Sequence, residues 1–232
     1  VSQQDAVPVI MFVGQVSRED LGRSAFQEVN YTKTFSDMAK WVVEITEADK
    51  VAEDVRRAFT IAQTGIPGPV IVSLPEDMLL EQTQASPLSP TTISQPKPDS
   101  RDIVDVCDML SKAQRPLIIA GGQIGRQHGR EALRMVSETW DVPVATSWRH
   151  QDLFDVNHPN FSCHLAFNMP PIFKDTLNQS DLIIAIGTRL GDVVTQGYKL
   201  PSAQQPSQKL IHIYNDAEPI GNVFDTDLAI IA

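Results

Sequence analysis

Arg115-Pro116-Leu117-Ile118-Ile119-Ala120 runs straight into Gly121-Gly122-Gln123-Ile124-Gly125. A short, continuous apolar run closed by glycines is the pattern of a strand buried on both faces of a parallel sheet and followed by a tight turn. Working outward, Ala132, Leu133, Val136 and Trp140 follow at helical spacing, and Pro143-Val144-Ala145 reads as a short extended element. Two more apolar runs of the same kind are Asp181-Leu182-Ile183-Ile184-Ala185-Ile186 and Leu210-Ile211-His212-Ile213-Tyr214, and Leu228 to Ile231 reads as a last strand. A helix precedes the series, with Ile103, Val106, Cys107 and Leu110 on one face, and another lies near Ile172 to Leu177. Residues 147–170 read as loop. Alternating strands and helices predict an α/β fold: a parallel, doubly wound, Rossmann-like sheet covered on both faces.

The first part of the chain repeats the theme. Val7-Pro8-Val9-Ile10-Met11-Phe12-Val13, closed by Gly14, reads as a strand buried on both faces, and Pro69-Val70-Ile71-Val72-Ser73-Leu74-Pro75 as another. Between them Val51, Val55, Ala58, Phe59 and Ala62 fall at helical spacing, with Asp49 as the expected N-cap and Gly65 and Pro67 as the stop. From Glu81 to Asp99 the composition shifts to Pro87, Pro90, Pro96 and Pro98 among Ser, Thr and Gln, which predicts a stiff, extended linker.

Composition bounds the function. The 232 residues are 42% hydrophobic and 21% charged, an ordinary globular balance, and the net charge of -10 argues against nucleic acid, whose phosphates need clustered Lys and Arg. The two cysteines, Cys107 and Cys163, define no disulfide framework and suit a reducing, cytoplasmic setting. No apolar run approaches the roughly 20 residues of a spanning helix, so no membrane partner is expected. The sequons at Asn30, Asn160 and Asn178 are short patterns of the kind that arise by chance. The chain opens without Met and closes on the apolar Leu228-Ala229-Ile230-Ile231-Ala232, so both ends read as interior to a longer protein.

Ligands of open α/β sheets bind beyond the carboxyl ends of the strands. Three such places carry suggestive residues: Gly121-Gly122-Gln123, Gly187-Thr188-Arg189 and Asn215-Asp216. Glycines would admit a phosphate to the backbone, Arg189 would supply a charge-assisted donor, and Asp216 would accept from a ribose hydroxyl. The strict dinucleotide fingerprint is absent, and the same glycines also serve as plain strand-to-helix turns. His150, His158, Cys163 and His164 match no paired metal-ligand spacing, so no metal site is expected among them.

Several motifs, in order and spacing, resemble the thiamine-diphosphate-dependent enzymes of the acetolactate synthase type. Gly14-Gln15-Val16, Ala25-Phe26-Gln27-Glu28, Lys40-Trp41, Gly65-Ile66-Pro67-Gly68-Pro69-Val70 and Leu74-Pro75-Glu76-Asp77 resemble the latter part of their pyrimidine-binding domain. Arg115-Pro116, Ala120-Gly121-Gly122, Pro143-Val144-Ala145-Thr146-Ser147, Ser180-Asp181-Leu182, Gly187-Thr188-Arg189 and the segment from Ile213 to Gly221 resemble their central domain, of a topology shared with sirtuins and electron-transfer flavoproteins. The resemblance implies residues 1–84 as the end of the first domain, 85–100 as linker and 101–232 as central domain. It also implies decarboxylation or carboligation of a small 2-oxo acid, with thiamine diphosphate and magnesium in the full-length enzyme, which would assemble as a homodimer or homotetramer. Phe26 and Gln27 would reach the active centre as wall and amide donor. Gly121, Gly122, Gln123, Thr146, Ser147, Gly187, Thr188, Arg189, Asp192, Asn215 and Asp216 would line the central-domain ligand groove. The family's activating carboxylate and its diphosphate and magnesium motif fall outside this segment, so the segment alone is expected to be inactive.

The departures are specific. Ile66 stands where acetolactate synthases carry arginine, Glu76 where they carry lysine, and Val193 where they carry a further arginine, while Leu165-Ala166-Phe167-Asn168 replaces a Gly-Met-His-Gly run. A flavin is therefore not expected. The alternative reading is a stand-alone nucleotide-binding or structural α/β module. It leaves the Phe26-Gln27-Glu28 and Pro67-Gly68-Pro69-Val70 segments without a purpose.

Overall fold

A computed structural model describes residues 1–125, 128–201 and 208–232. The chain divides into two compact units, Val1–Ser94 and Gln95–Ala232.

The first unit is built from β1 (Val9–Gln15), α1 (Tyr31–Phe35), β2 (Trp41–Glu44), α2 (Val51–Gln63) and β3 (Pro69–Pro75). The strands form a parallel sheet in the order β1-β3-β2, with Val9 opposite Pro69 and Trp41 opposite Val70. β3 is central, and Val70, Ile71 and Val72 are buried. The expectation of double burial fails for β1. It forms an edge, so Val9, Met11 and Phe12 stay exposed although their composition matches that of β3. β2 was hidden from sequence reading by its length of four residues, only half-buried.

Asp49 is not the cap of α2. A single tight turn, Ala48–Lys50, precedes the helix, and the Asp49 carboxylate instead accepts the Thr83 hydroxyl at 2.5 Å. Ala58 and Ala62 are the buried residues of α2, whereas Phe59 turns outward and lines an apolar groove with Leu88 and Pro87. Residues 82–99 carry no regular structure.

The second unit begins with α3 (Ser100–Lys112), closed by a capping box in which the Asp99 carboxylate accepts the N–H of Asp102 and the Asp102 carboxylate accepts that of Asp99. Then follow β4 (Pro116–Ala120), α4 (Gly129–Trp140), β5 (Val144–Thr146), β6 (Phe161–His164), α5 (Pro171–Gln179), β7 (Leu182–Ile186), β8 (Lys209–Tyr214) and β9 (Leu228–Ile231). All pair in parallel in the order β6-β5-β4-β7-β8-β9. The chain winds outward from β4 to β6, returns beside β4 with β7, and winds the other way, which is the doubly wound arrangement.

The apolar run of β4 is buried on both faces because its side chains alternate. Leu117 and Ile119 enter one core with Cys163, Leu177 and Ile183, while Ile118 and Ala120 enter the other with Leu133, Ile184, Ile211 and Ile230. Each fully buried Leu or Ile contributes roughly 1.5–3 kcal/mol, so this strand anchors both layers. Four residues expected on buried helix faces are exposed instead: Ile103, Ala132, Val136 and Trp140. On α4 the buried residues are Leu133 and Ser137, and the Ser137 hydroxyl satisfies itself on the Val142 carbonyl at 2.8 Å. Within the stretch read as loop, Phe161–His164 forms β6, at an edge of the sheet.

Candidate functional site

β5, β4, β7 and β8 are consecutive neighbours, so their carboxyl ends form one continuous edge. The switch in winding falls between β4 and β7, where open sheets carry their crevice. Gly121-Gly122-Gln123 leaves β4 there, Gly187-Thr188-Arg189 leaves β7, Thr146-Ser147 leaves β5 and Asn215-Asp216 leaves β8. Backbone bonds lace the turns together. The N–H of Gly121 donates to Ile186, that of Gln123 to Gly187, that of Ser147 to Ala120 and that of Gly187 to Ile213.

Each glycine has a local reason. Gly187 adopts φ +67°, a conformation L side chains rarely take. A methyl at Gly121 would meet Thr188 Cβ at 2.5 Å and the Gly187 carbonyl group closer still, so this glycine serves the packing of the β4 turn on the β7 turn. At Gly122 a methyl would overlap the imidazole of His150, with Cδ2 at 2.5 Å.

The polar residues of the edge divide. Thr146 is fully buried, and its hydroxyl is 3.0 Å from His164 Nδ1. Thr188 is also buried, and its carbonyl accepts from His212 Nε2 at 2.8 Å. These threonines hold the edge together. Arg189 is half-buried and forms no ion pair among the described residues, which leaves its guanidinium available. The Asp216 carboxylate accepts the N–H of Glu218 at 3.0 Å, a local turn that still leaves an oxygen for a ligand. Asp192 is exposed in the segment beyond Arg189, where it lines a pocket with Phe167, Asn168 and Lys174.

From the sequence, His150 and His164 are set aside as metal ligands, and neither they nor His212 is assigned to this edge. Burial pushes the His212 pKa down, as it does that of His164, where the neighbouring His150 charge adds to the effect. The rule that drew attention to residues after β4, β7 and β8 would have reached His150 and His164 had it been applied to β5 and β6. Among the described residues no group of three or more His, Cys, Asp or Glu is placed to hold a metal. His158 lies 3.2 Å from Glu138, and Cys163 is buried with its thiol pKa pushed up to about 11.

In the first unit the carboxyl ends of the strands meet in a polar cluster. The buried Gln15 amide donates to the Val29 carbonyl at 2.8 Å and to the Glu44 carboxylate at 3.0 Å, and the Ser73 hydroxyl donates to the same carboxylate at 3.1 Å. Beside it the loop carrying Phe26 and Gln27 is pinned by Glu28, whose carboxylate accepts the N–H groups of Gly22 at 2.6 Å and Ala25 at 3.1 Å. The Gly22 bond is the largest cause of its lowered pKa. Gln27 takes φ +68° at the turn, and Phe26 is 90% exposed. The loop thus presents an aromatic face and an amide outward from a fixed base.

The remaining motifs are structural staples. Asp77 accepts the backbone N–H and Nε of Arg18, at 2.9 and 2.7 Å, and Lys40 packs on Gly68 while its ammonium reaches the Thr64 carbonyl at 2.5 Å. Asp181 accepts the N–H groups of Gln114 and Arg115 at 2.7 and 2.8 Å, tying β4 to β7 at their amino ends.

A parallel, doubly wound sheet with glycine turns at its switch point defines an α/β domain of the class whose ligands bind beyond the carboxyl ends of the strands. The chain belongs to the thiamine pyrophosphate enzymes: residues 103–232 match the family model described as "Thiamine pyrophosphate enzyme, central domain". It is 31% identical to the acetolactate synthase large subunit of Parasynechococcus marenigrum over 99% of its length and 38% of that protein. It is 30% identical to a probable acetolactate synthase large subunit of Methanococcus aeolicus, over 99% of the chain and 39% of that protein. The acetolactate synthase of Mycobacterium leprae is 32% identical, over 99% of the chain and 37% of that protein. The chain therefore spans about two fifths of the length of these relatives. No helix among the described residues is long and apolar enough to cross a membrane.

Proposed function

We propose that the chain is part of a thiamine-diphosphate- and magnesium-dependent enzyme that decarboxylates or ligates small 2-oxo acids, works in the cytoplasm and assembles as a homodimer or homotetramer. In this reading Val1–Ser94 contains the end of a pyrimidine-binding domain and Gln95–Ala232 the central domain. The observation that carries it is the Phe26-Gln27 loop. An exposed aromatic ring beside an outward amide, fixed by Glu28, suits the wall and donor of a cofactor and substrate site, and the match to acetolactate synthases runs through this loop as well as the central domain. When bound, thiamine diphosphate would supply the carbon nucleophile that attacks the keto carbon. The chain's own part is positional: Gln27 offers a fixed donor to the developing charge, and Phe26 excludes water from one side.

The crevice between β4 and β7 is, in the same reading, a nucleotide groove in which Arg189, Ser147, Asn215 and Asp216 supply the polar contacts. Flavin is not its ligand in this reading, since Val193 stands where acetolactate synthases carry an arginine, and a charge-assisted bond contributes roughly 1.5–3 kcal/mol. The test is consumption of pyruvate and other short 2-oxo acids by the full-length protein, with carbon dioxide and carboligation products measured. Turnover that requires both thiamine diphosphate and magnesium and stops with a chelator is expected. Cofactor-independent turnover, or none with any 2-oxo acid, would overturn the proposal.

A further inference from the structure

In a doubly wound sheet the bridging diphosphate of a dinucleotide lies over the glycine turn that follows the first strand, because a bare Cα lets phosphate oxygens reach the backbone N–H groups. Here both glycines after β4 spend that freedom inside the protein. Gly121 is walled by Gly187 and Thr188, and Gly122 is covered by His150. His150 is held there from several sides. Its Nδ1 is 2.9 Å from the Trp148 carbonyl and so donates to it, and Nε2 is the ring atom nearest Gly122. Its backbone N–H donates to Ser147 at 3.0 Å, and its carbonyl accepts from Leu153 at 3.2 Å. The ring and the glycine are complementary: only a residue without Cβ tolerates the imidazole at this distance.

We propose that His150 is the specificity-determining residue of the groove: its ring fills the space over Gly122 that a bridging diphosphate would take, and restricts the groove to ligands without one. This rests on the reading of the carboxyl edge as a ligand groove. Arg189 and Asp216 serve as polar contacts for a nucleoside or nucleoside monophosphate, while a dinucleotide would have to swing the imidazole off both Gly122 and the Trp148 carbonyl. Displacing a side chain that is bonded in place lowers apparent affinity by the fraction of time the open state is populated.

The experiment compares the full-length protein with His150→Ala and with His150→Gln, which keeps most of the bulk. Folding is checked by circular dichroism, and His150→Ser replaces the alanine variant if that one does not fold. Equilibrium dialysis measures flavin adenine dinucleotide, NAD and AMP on each. The expected result is dinucleotide binding at least about tenfold tighter in the small variant than in the wild type or the glutamine variant, with AMP altered less than about threefold; a tenfold change corresponds to roughly 1.4 kcal/mol. Equal dinucleotide binding by wild type and small variant would overturn the role of His150 and leave the groove reading standing. No binding of any probe by any form would overturn both.

Discussion

Gly122→Ala, made alone and in a His150→Ala background, isolates the contact on which the groove is built. Gly122 does not require a positive φ, so alanine fits its backbone, and on that ground the change would stabilise by roughly 0.4–1 kcal/mol through the unfolded chain. In the wild type that gain is outweighed. The new methyl would overlap the His150 imidazole, and the overpacking costs about 1–3 kcal/mol. Removing the ring removes the overlap, so the same substitution becomes neutral or stabilising in the His150→Ala background. The lost bond to the Trp148 carbonyl is common to both arms and cancels, which leaves a coupling energy of about 1–3 kcal/mol, the size found for residues in contact. Urea unfolding followed by tryptophan fluorescence reads it, with Trp148 reporting from the same turn. Effects of Gly122→Ala that agree within about 0.5 kcal/mol in the two backgrounds would refute the contact. Gly121→Ala serves as a contrast: its wall includes the Gly187 backbone, which no side-chain deletion relieves.

In the full-length enzyme Gln27→Ala is expected to reduce turnover on the order of 10²-fold at saturating cofactor with the melting temperature unchanged, since one positioned donor is lost; unchanged kinetics would return Gln27 to a loop role. Of the two cysteines, half-buried Cys107 should react with a thiol reagent in the native protein at pH 8, while Cys163, fully buried with its pKa pushed up to about 11, should react only after unfolding. Rapid native labelling of both thiols would contradict this. Stability should fall on acidification, because burial lowers the pKa of His212 and His164 below the ordinary 6.5. The unfolded chain therefore takes up protons that the native state refuses, and the stability present above about 6.5 is lost as pH drops toward the folded-state values. Melting temperatures between pH 7.5 and 5.5 measure it, and His212→Gln should flatten the slope; an identical slope would show that His212 does not carry it.

The second unit was legible because its strands are buried on both faces. A run such as Leu117-Ile118-Ile119-Ala120 has no polar face to lose, so it reads as strand from composition alone, and the glycines after it place the carboxyl edge. Elements at the margins of the sheets escaped for the opposite reason. β6 is four residues long at an edge, β2 is equally short and half-buried, and neither shows alternation or an apolar run long enough to register. Edge position also defeated the reading of β1, whose apolar residues match those of β3 but are exposed. Burial belongs to a place in the sheet, and sequence carries that only indirectly.

The site shows the same division at finer scale. The rule that ligands of open sheets bind beyond strand ends drew attention to Gly121, Gly122, Gly187 and Arg189, and the topology does bring these turns to one edge. It could not say what the glycines make room for. Gly121 makes room for the next turn, Gly122 for a histidine that a count of metal ligands had set aside, and Gly187 for its own left-handed backbone. Three glycines of two neighbouring turns thus answer three different steric demands, and at none of them does the room they leave open onto the groove. A glycine after a strand is therefore evidence of close approach, and only the tertiary structure shows what approaches it. Here the partner at Gly122 is His150, which turns a feature shared with diphosphate-binding sheets into one that works against a diphosphate.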